Sequence, residues 1–138
     1  MDNKFNEATS QRPLGDRILD AALFNIDLAS FAKQIKEEEA WKKSDRNAIT
    51  VFKTDGMRIV LIALHKDSEM TKHRAAGIIS LQVMEGKIQF TSNEQSVELG
   101  RGQMMALHKG LSHSVLAKEE SISLLTLTNT MAEMNSSL

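Results

Sequence analysis

Short apolar runs separated by turn signals fill the chain from about residue 46 onward, and no other feature of the sequence limits the fold as strongly. AITVF and MRIVLIAL flank the tripeptide TDG, which is typical of a tight hairpin turn. Further turn signals follow at 85–87, 93–94, 100–102 and 109–110. The alternation of apolar and polar residues in KIQF, SVEL and SISLLTL indicates strands with one buried face. About seven or eight strands at this spacing predict an all-β fold, an antiparallel sandwich or barrel.

Composition narrows the class of protein. The 138 residues fit one domain with a single core. Lys and Arg number 17 against 18 Asp and Glu, and this near-neutral balance argues against nucleic acid or an anionic membrane as partner. There is no cysteine, which excludes disulfides, thiolate metal sites and a cysteine nucleophile. The polar N-terminus lacks the apolar core of a signal peptide, and no apolar run reaches the ~18 residues of a membrane span, so we predict a cytoplasmic protein.

Four segments are predicted along the chain. Residues 1–13 are polar and without periodicity, and we expect a disordered lead-in there. Residues 14–45 carry a helical pattern in which Asp27 is a suitable N-cap, and this segment either covers an open face of the main body or forms a dimer contact. Residues 46–130 are expected to form the barrel, and residues 131–138 a flexible tail.

Two spaced motifs in the strand region are similar to those of the cupin superfamily. The first cupin motif has the form G-x5-H-x-H-x3,4-E-x6-G, and HRAAGIISLQVMEG places His73 at its first histidine and Gly86 at its final glycine. The second has the form G-x5-P-x-G-x2-H-x3-N, and GQMMALHKGLSH places Gly102, Gly110 and His113 in register. The sequence resembles small single-domain bacterial cupins in particular. This resemblance implies a double-stranded β-helix, or jelly-roll barrel, of the RmlC-like type.

The resemblance also implies a set of metal ligands, and here the sequence departs from the family. Ala75 stands at the position of the second histidine, and Ile79 stands at the position of the glutamate. His108 replaces the proline of the second motif. Two imidazoles alone would leave a metal ion coordinated mostly by water, whereas catalytic sites normally have three protein ligands. We therefore predict neither an intact metal site nor a bound cofactor.

His73 and His113 are the leading candidate site residues, because the cupin positions that they match converge inside the barrel mouth. Imidazole groups in general titrate near neutral pH and can serve a ligand as hydrogen-bonding or acid–base groups. The alternative is a pair of partly buried histidines anchored by backbone carbonyls. If Fe, Mn, Ni or Zn were bound after all, a third ligand would have to come from His108, His65 or Glu69, of which the first is expected at the rim and the others in solvent.

Met84 and Met104 complete the predicted ligand-binding set. Together with Met70 and Met105 they are expected to fill the barrel core or to line an apolar ligand pocket, since Met adapts to irregular apolar space.

These residues favour a non-catalytic module that binds or senses a small molecule, with His73 and His113 as polar anchors in a mostly apolar cavity. The alternative function is that of a divergent metal-dependent enzyme of the dioxygenase or isomerase type. We also expect a homodimer, because cupins commonly pair or exchange edge strands and an exposed edge such as AITVF would need protection.

Overall fold

The computed structural model describes residues 5–6 and 17–128, without the side chains of residues 5, 6 and 73. The predicted lead-in and tail therefore lie outside the described residues, except at positions 5–6. The helices are α1 (Leu28–Glu37) and α2 (Glu39–Lys43). The strands are β1 (Phe5–Asn6), β2 (Arg17–Ile18), β3 (Arg46–Thr54), β4 (Met57–Leu64), β5 (Glu69–Arg74), β6 (Ile79–Glu85), β7 (Lys87–Ser92), β8 (Gln95–Gly100), β9 (Met104–Leu107), β10 (Ser112–Ala117) and β11 (Ser121–Thr128).

Two antiparallel sheets face one another and form the body of the protein. One is a 5-stranded sheet in the order β3-β4-β11-β6-β9, and the other is a 4-stranded sheet in the order β5-β10-β7-β8. From β5 to β11 the chain crosses between the two sheets at every connection except the β7–β8 hairpin, and this double-wound order is that of a jelly roll, as the turn spacing predicted. The space between the sheets holds the inner cluster, which consists of Val60, Ile62, Leu64, Leu81, Val83, Ile88, Phe90, Leu99, Val115 and Ala117.

A helical layer covers the opposite face of the 5-stranded sheet. Ile35 of α1 and Trp41 of α2 are buried there against outward-facing apolar residues of β3, β4 and β11, and we call this packing the outer cluster. Asn47 fastens the two layers, because its Nδ2 donates to the Ile35 carbonyl at 3.0 Å and to Glu38 Oε1 at 3.0 Å. Within the described residues, neither helix has the length and apolar character that crossing a membrane requires.

The helical segment is shorter than the sequence pattern predicted. Asp27 is the N-cap as expected, with its carboxylate accepting from the Ser30 backbone N–H at 3.2 Å. The helix begins only at Leu28, whereas the pattern had suggested helix over much of 14–45. Residues before it instead run along the edge of the 5-stranded sheet, where Leu19 accepts a hydrogen bond from Lys53 N at 2.9 Å. Backbone pairing with a distant strand thus overrides the local helical preference.

This contact also bears on the expected homodimer. β3, which contains the AITVF run, is an edge strand, as the prediction required. Part of that edge is covered by the chain itself, through the bond from Lys53 to Leu19 and a further bond from the Arg17 guanidinium to the Thr50 carbonyl. The homodimer stays a prediction. Light scattering that gave a monomer mass at tens of micromolar would contradict it.

One end of the barrel gathers both motif segments. In the 5-stranded sheet, Leu127 lies opposite Arg58 on one side and opposite Ile79 on the other. The loops 75–78 and 108–111 join this end to the 4-stranded sheet, where β5 ends and β10 begins. We call it the motif end.

Near the opposite end, Asp45 lies at the junction of α2 and β3. Hydrogen bonds from Arg46 at 3.0 Å and from Ser68 at 3.0 Å lower the pKa of the Asp45 carboxyl from 3.8 to about 2. A carboxyl with a depressed folded-state pKa stabilises the fold above its unfolded pKa, and the contribution is lost as the pH falls through the folded value.

We therefore expect Asp45→Asn to lower the urea midpoint at pH 6, and to lower it much less at pH 2, where the wild-type carboxyl is itself half protonated. The variant Glu37→Gln, at an exposed carboxylate of α1, serves as control. A difference between wild type and Asp45→Asn that is equally large at both pH values would contradict this prediction.

Candidate functional site

The second motif brings His113 onto the inner face of β10. Along this strand His113, Val115 and Ala117 are buried, whereas Ser112 and Ser114 are partly exposed. Side chains of a strand alternate between its two faces, and Val115 and Ala117 belong to the inner cluster. His113 therefore faces the interior between the sheets, as predicted.

The His113 imidazole is held on two sides. Only 5% of the residue is exposed, and its ring stacks on that of Phe90 with 5.7 Å between centroids and 6° between planes. Its Nδ1 lies 3.4 Å from the carbonyl oxygen of Leu111, which favours the tautomer that carries the proton on Nδ1. The aromatic contact and this polar contact fix the direction in which the ring points.

His73 lies directly across from His113 in the ladder between β5 and β10. The register thus brings the backbones of the two motif histidines together, as the resemblance implied. The side chain of His73 is outside the described part of the structure, so its contacts are not part of this geometry. On its other side, His113 faces Ser92 of β7.

The two metal-ligand positions at which this chain differs from the cupin motif carry no side-chain donor atoms. Ile79 is 3% exposed and alternates with Leu81 and Val83, whose side chains fill the inner cluster. Ala75 lies in the loop 75–78, and only its backbone carbonyl is engaged, as acceptor for Gly110 N at 3.0 Å. Imidazole and carboxylate groups are the usual ligands of first-row metals. The donor set at the four motif positions is therefore His73 and His113, and it does not fit a standard catalytic metal centre.

His65 does not lie with the motif histidines. It follows the last residue of β4, whereas the motif end is where β4 begins. Its Nε2 lies 2.9 Å from the Trp41 carbonyl oxygen, and its ring stacks on the Trp41 indole with centroids 3.4 Å apart. This placement corrects both the suggestion of a third ligand and the expectation of solvent exposure: His65 is partly buried and holds α2 against the sheet.

Glu69 and His108, the two other candidates for a third ligand, lie in different parts of the barrel. Glu69 is exposed at the start of β5, four residues before His73, and a strand extends by about 3.3 Å per residue, so its carboxylate is far from His113. Its suggested role as a ligand is corrected accordingly, and its exposure agrees with the expectation. His108 is exposed in the loop 108–111 at the motif end, which confirms the expected rim position.

The four methionines divide between three environments. Met70 and Met105 pack against the inner cluster, as expected. Met84 packs in the outer cluster beneath α1, because its position on β6 has the opposite parity from Leu81 and Val83. Met104 is 53% exposed on the edge strand β9. The assignment of Met84 and Met104 to an interior pocket with His113 is thus corrected.

Sequence reasoning overlooked Arg58, an inward-facing cation at the motif end. Arg58 has the same parity on β4 as Val60 and Ile62 of the inner cluster, whereas Ile59 packs in the outer cluster. The signal that could have revealed it is plain in MRIVLIAL, where a single arginine interrupts an otherwise apolar strand.

Two open clefts lie on the outside of the sheets. One, of about 710 Å³, runs between α1 and the end of β6 and includes Ala32, Met84 and Arg101. The other, of about 500 Å³, is polar and lies beside β5, β7 and β10. Its lining consists of Glu69, Lys72, Arg74, Thr91, Ser92, Asn93, Glu94, Leu111, Ser112 and Ser114.

The paired sheets, with both motif segments at one end, define a double-stranded β-helix barrel. Comparison with solved structures identifies this architecture as the cupin fold. An RmlC-like cupin from Shewanella frigidimarina matches with a TM-score of 0.61 and 14% identity, over 65% of this chain and 81% of the other. KdgF from Halomonas sp. matches with a TM-score of 0.57 and 16% identity, over 62% of this chain and 80% of the other.

A larger protein with a known activity in its name also shares the fold. Salicylate 1,2-dioxygenase from Pseudaminobacter salicylatoxidans matches with a TM-score of 0.66 and 15% identity, over 94% of this chain and 38% of that one. No family model matches the sequence, and no curated protein is similar to it in sequence. The matching proteins thus include a named enzyme and a cupin whose name gives no activity, so the fold alone does not assign a function to this chain.

Proposed function

We propose that this protein is a non-catalytic cupin barrel that binds or senses a small molecule at its motif end. The observation that carries the proposal is the position of His113, a buried imidazole on the inner face of β10 at a motif position that supplies a ligand in cupins. His73, opposite in the ladder, is proposed as the second polar anchor.

The surroundings of His113 support binding over catalysis. Phe90 gives the imidazole an apolar support, and Ile79 puts a hydrocarbon side chain where the family has a carboxylate. A pocket with apolar walls and a few fixed polar groups is the usual form of a small-molecule site. With fewer than three donors at the motif positions, a metal ion would have no protein cage to hold its geometry.

The alternative is a divergent metal-dependent enzyme that uses His73 and His113. The match to salicylate 1,2-dioxygenase over 94% of this chain favours it as the second candidate. The two functions differ in one measurable property, which is the metal content of the purified protein.

Metal content measured by plasma mass spectrometry is therefore the first test. Tag-free protein purified without chelators is compared with the His73→Ala/His113→Ala double variant and with His108→Ala as a matched control at the exposed rim. We expect Fe, Mn, Ni and Zn far below one equivalent in all three. Near-stoichiometric metal that is lost only in the double variant would overturn the proposal and establish the alternative.

His113→Phe separates a ligand-binding role from a structural one. The substitution keeps an aromatic ring against Phe90 and removes both ring nitrogens, so we expect a melting temperature close to that of the wild type. For a ligand found by thermal-shift screening of metabolites, we expect affinity to fall about tenfold or more, since a lost hydrogen bond to a buried polar group is worth roughly 1–3 kcal/mol. Unchanged affinity would remove His113 from the site.

We further propose that the protein acts in the cytoplasm, binds neither nucleic acid nor membranes, and forms a homodimer. The net charge of −1 supports the absence of a polyanionic partner.

A further inference from the structure

Arg58 is a charged residue in a strand whose other inward-facing side chains are apolar. On β4 the inward positions after it are Val60, Ile62 and Leu64, all of them in the inner cluster. Thr50 of β3 lies beside it on the same face, and its Oγ1 accepts a hydrogen bond from Arg58 Nη2 at 2.9 Å. The side chain of Arg58 thus leaves the inner face of β4 toward the edge strand β3, where a hydroxyl group holds its guanidinium.

This guanidinium has no counter-ion among the residues that the structure describes. Among the described residues no carboxylate pairs with Arg58, and its Nε is buried without a hydrogen-bond partner there. Burial lowers the pKa of Arg58, and no charged group in the described part of the chain offsets this effect. A partly buried cation with an unused donor is unfavourable, since the lost hydration is not replaced by an acceptor. Native proteins satisfy nearly all such groups, so the missing acceptor itself needs an explanation.

The place of Arg58 in the barrel suggests where that acceptor comes from. Arg58 and Ile79 flank Leu127 in the 5-stranded sheet. His113, the first inward-facing residue of β10, lies at the same end of the barrel. An imidazole on one sheet and a guanidinium on the other therefore belong to the facing surfaces of the two sheets, at the same end of the barrel. A ligand anchored at His113 would have the positive charge of Arg58 in its surroundings, and apolar side chains of the protein would contact most of its surface.

We propose that Arg58 binds the anionic group of the ligand, and that the ligand is an apolar carboxylic acid. This inference rests on the proposed function and adds the chemical class of the ligand to it. A carboxylate carries one negative charge, which one guanidinium neutralises, and its two oxygens match the planar fork of N–H donors. A phosphate dianion would leave excess negative charge in an apolar interior, and a neutral ligand would leave the charge of Arg58 unpaired.

The test uses four probes in two matched pairs: benzoate with benzamide, and hexanoate with hexanamide. In protein labelled with ¹⁵N-arginine, the Nε–H signal of Arg58 is assigned by its absence from Arg58→Gln and followed during titration, alongside the melting temperature. Arg101→Gln, at an exposed turn arginine, is the matched control. Arg58→Lys keeps the charge without the fork and provides a second variant if the glutamine variant is poorly folded.

We expect at least one acid to shift the Arg58 Nε–H signal saturably and to raise the melting temperature, with its amide about tenfold weaker or worse. The acid should lose about tenfold or more in affinity in Arg58→Gln, less in Arg58→Lys, and nothing in Arg101→Gln. Acids and amides that bind equally, acids that bind Arg58→Gln like the wild type, or a response to inorganic phosphate alone would overturn the inference.

Different results would overturn this inference and the proposed function. Binding of a neutral probe that His113→Phe weakens, and that Arg58→Gln does not, would leave the binding function in place and remove the carboxylate. If no probe binds, the carboxylate inference is overturned at the concentrations tested, whereas the proposed function is overturned only when the metabolite screen on wild-type protein is empty as well.

Discussion

Replacing Gly86 with alanine is expected to lower the free energy of unfolding by about 2–5 kcal/mol, because two unfavourable effects combine at this residue. Gly86 has φ +84, a left-handed conformation in which a side chain is strained by about 1–2 kcal/mol. An added Cβ would also meet the Glu120 carbonyl oxygen, and would lie 2.5 Å from Ser121 Oγ and 2.8 Å from Ser121 Cα. Backbone atoms at these distances have to move, which adds the cost of overpacking.

The contact is tight because two turns pack together at Gly86. Ser121 Oγ accepts a hydrogen bond from Lys87 N at 3.0 Å, so the start of β11 is fastened to the start of β7. Moving Ser121 to admit a methyl group would disturb this bond. The final glycine of the first motif therefore has a packing role in addition to its role in the turn.

Gly102→Ala is the matched control for this prediction. Gly102 has nearly the same conformation, φ +83, but nothing lies within 4 Å of an added Cβ. We expect a loss of only about 1–2 kcal/mol, which is the conformational strain alone. Urea denaturation of the two variants gives the comparison, and equal losses would show that the approach of the two turns is looser than the structure has it.

Replacing Phe90 with alanine is expected to cost about 3–5 kcal/mol, since Phe90 is 1% exposed at the centre of the inner cluster. The same change removes the ring on which His113 stacks. We therefore expect a second effect, namely a large change in the chemical shifts of the His113 ring protons, measured by NMR with His113→Phe used for assignment.

The variant Phe90→Leu separates the effect on the His113 ring from the loss of stability. Phe90→Leu keeps most of the apolar volume, so it should lose less stability than the alanine variant while still removing the aromatic stack. If the His113 ring signals stayed unchanged in Phe90→Leu, the imidazole would be held by contacts other than Phe90. Weakened ligand affinity in both variants would support the role of Phe90 as the support of the proposed anchor.

Much of the fold was predictable because the signals that specify it are local. The hairpin turn at 54–56, the Asp27 N-cap and the turn glycine Gly86 each depend on a few neighbouring residues, and the structure confirms all three. Strand alternation was equally readable. The alternation along β6 also predicts that Met84 faces the outer cluster, because Met84 has the opposite parity from Leu81 and Val83.

Other features depend on residues far apart in the chain. The partner of His65 is Trp41, 24 residues earlier, and no spacing rule connects them. The sequence shows an arginine in an apolar strand, but the absence of a partner for its Nε among the described residues depends on everything that packs around it. Arg17–Ile18 likewise forms a strand where the sequence favoured a helix, because its backbone pairs with β1.

The sequence by itself determined the jelly-roll architecture and the loss of two metal donors, because strand period, turn chemistry and side-chain identity are carried by the residues themselves. Only the tertiary structure decided which polar groups share the motif end. That depends on the register between strands distant in sequence, such as β10 with β5 and β4 with β11, and register is set by packing across both sheets together. His113 and Arg58 therefore belong to the facing surfaces of the two sheets, at the same end of the barrel, for a reason that neither strand contains alone.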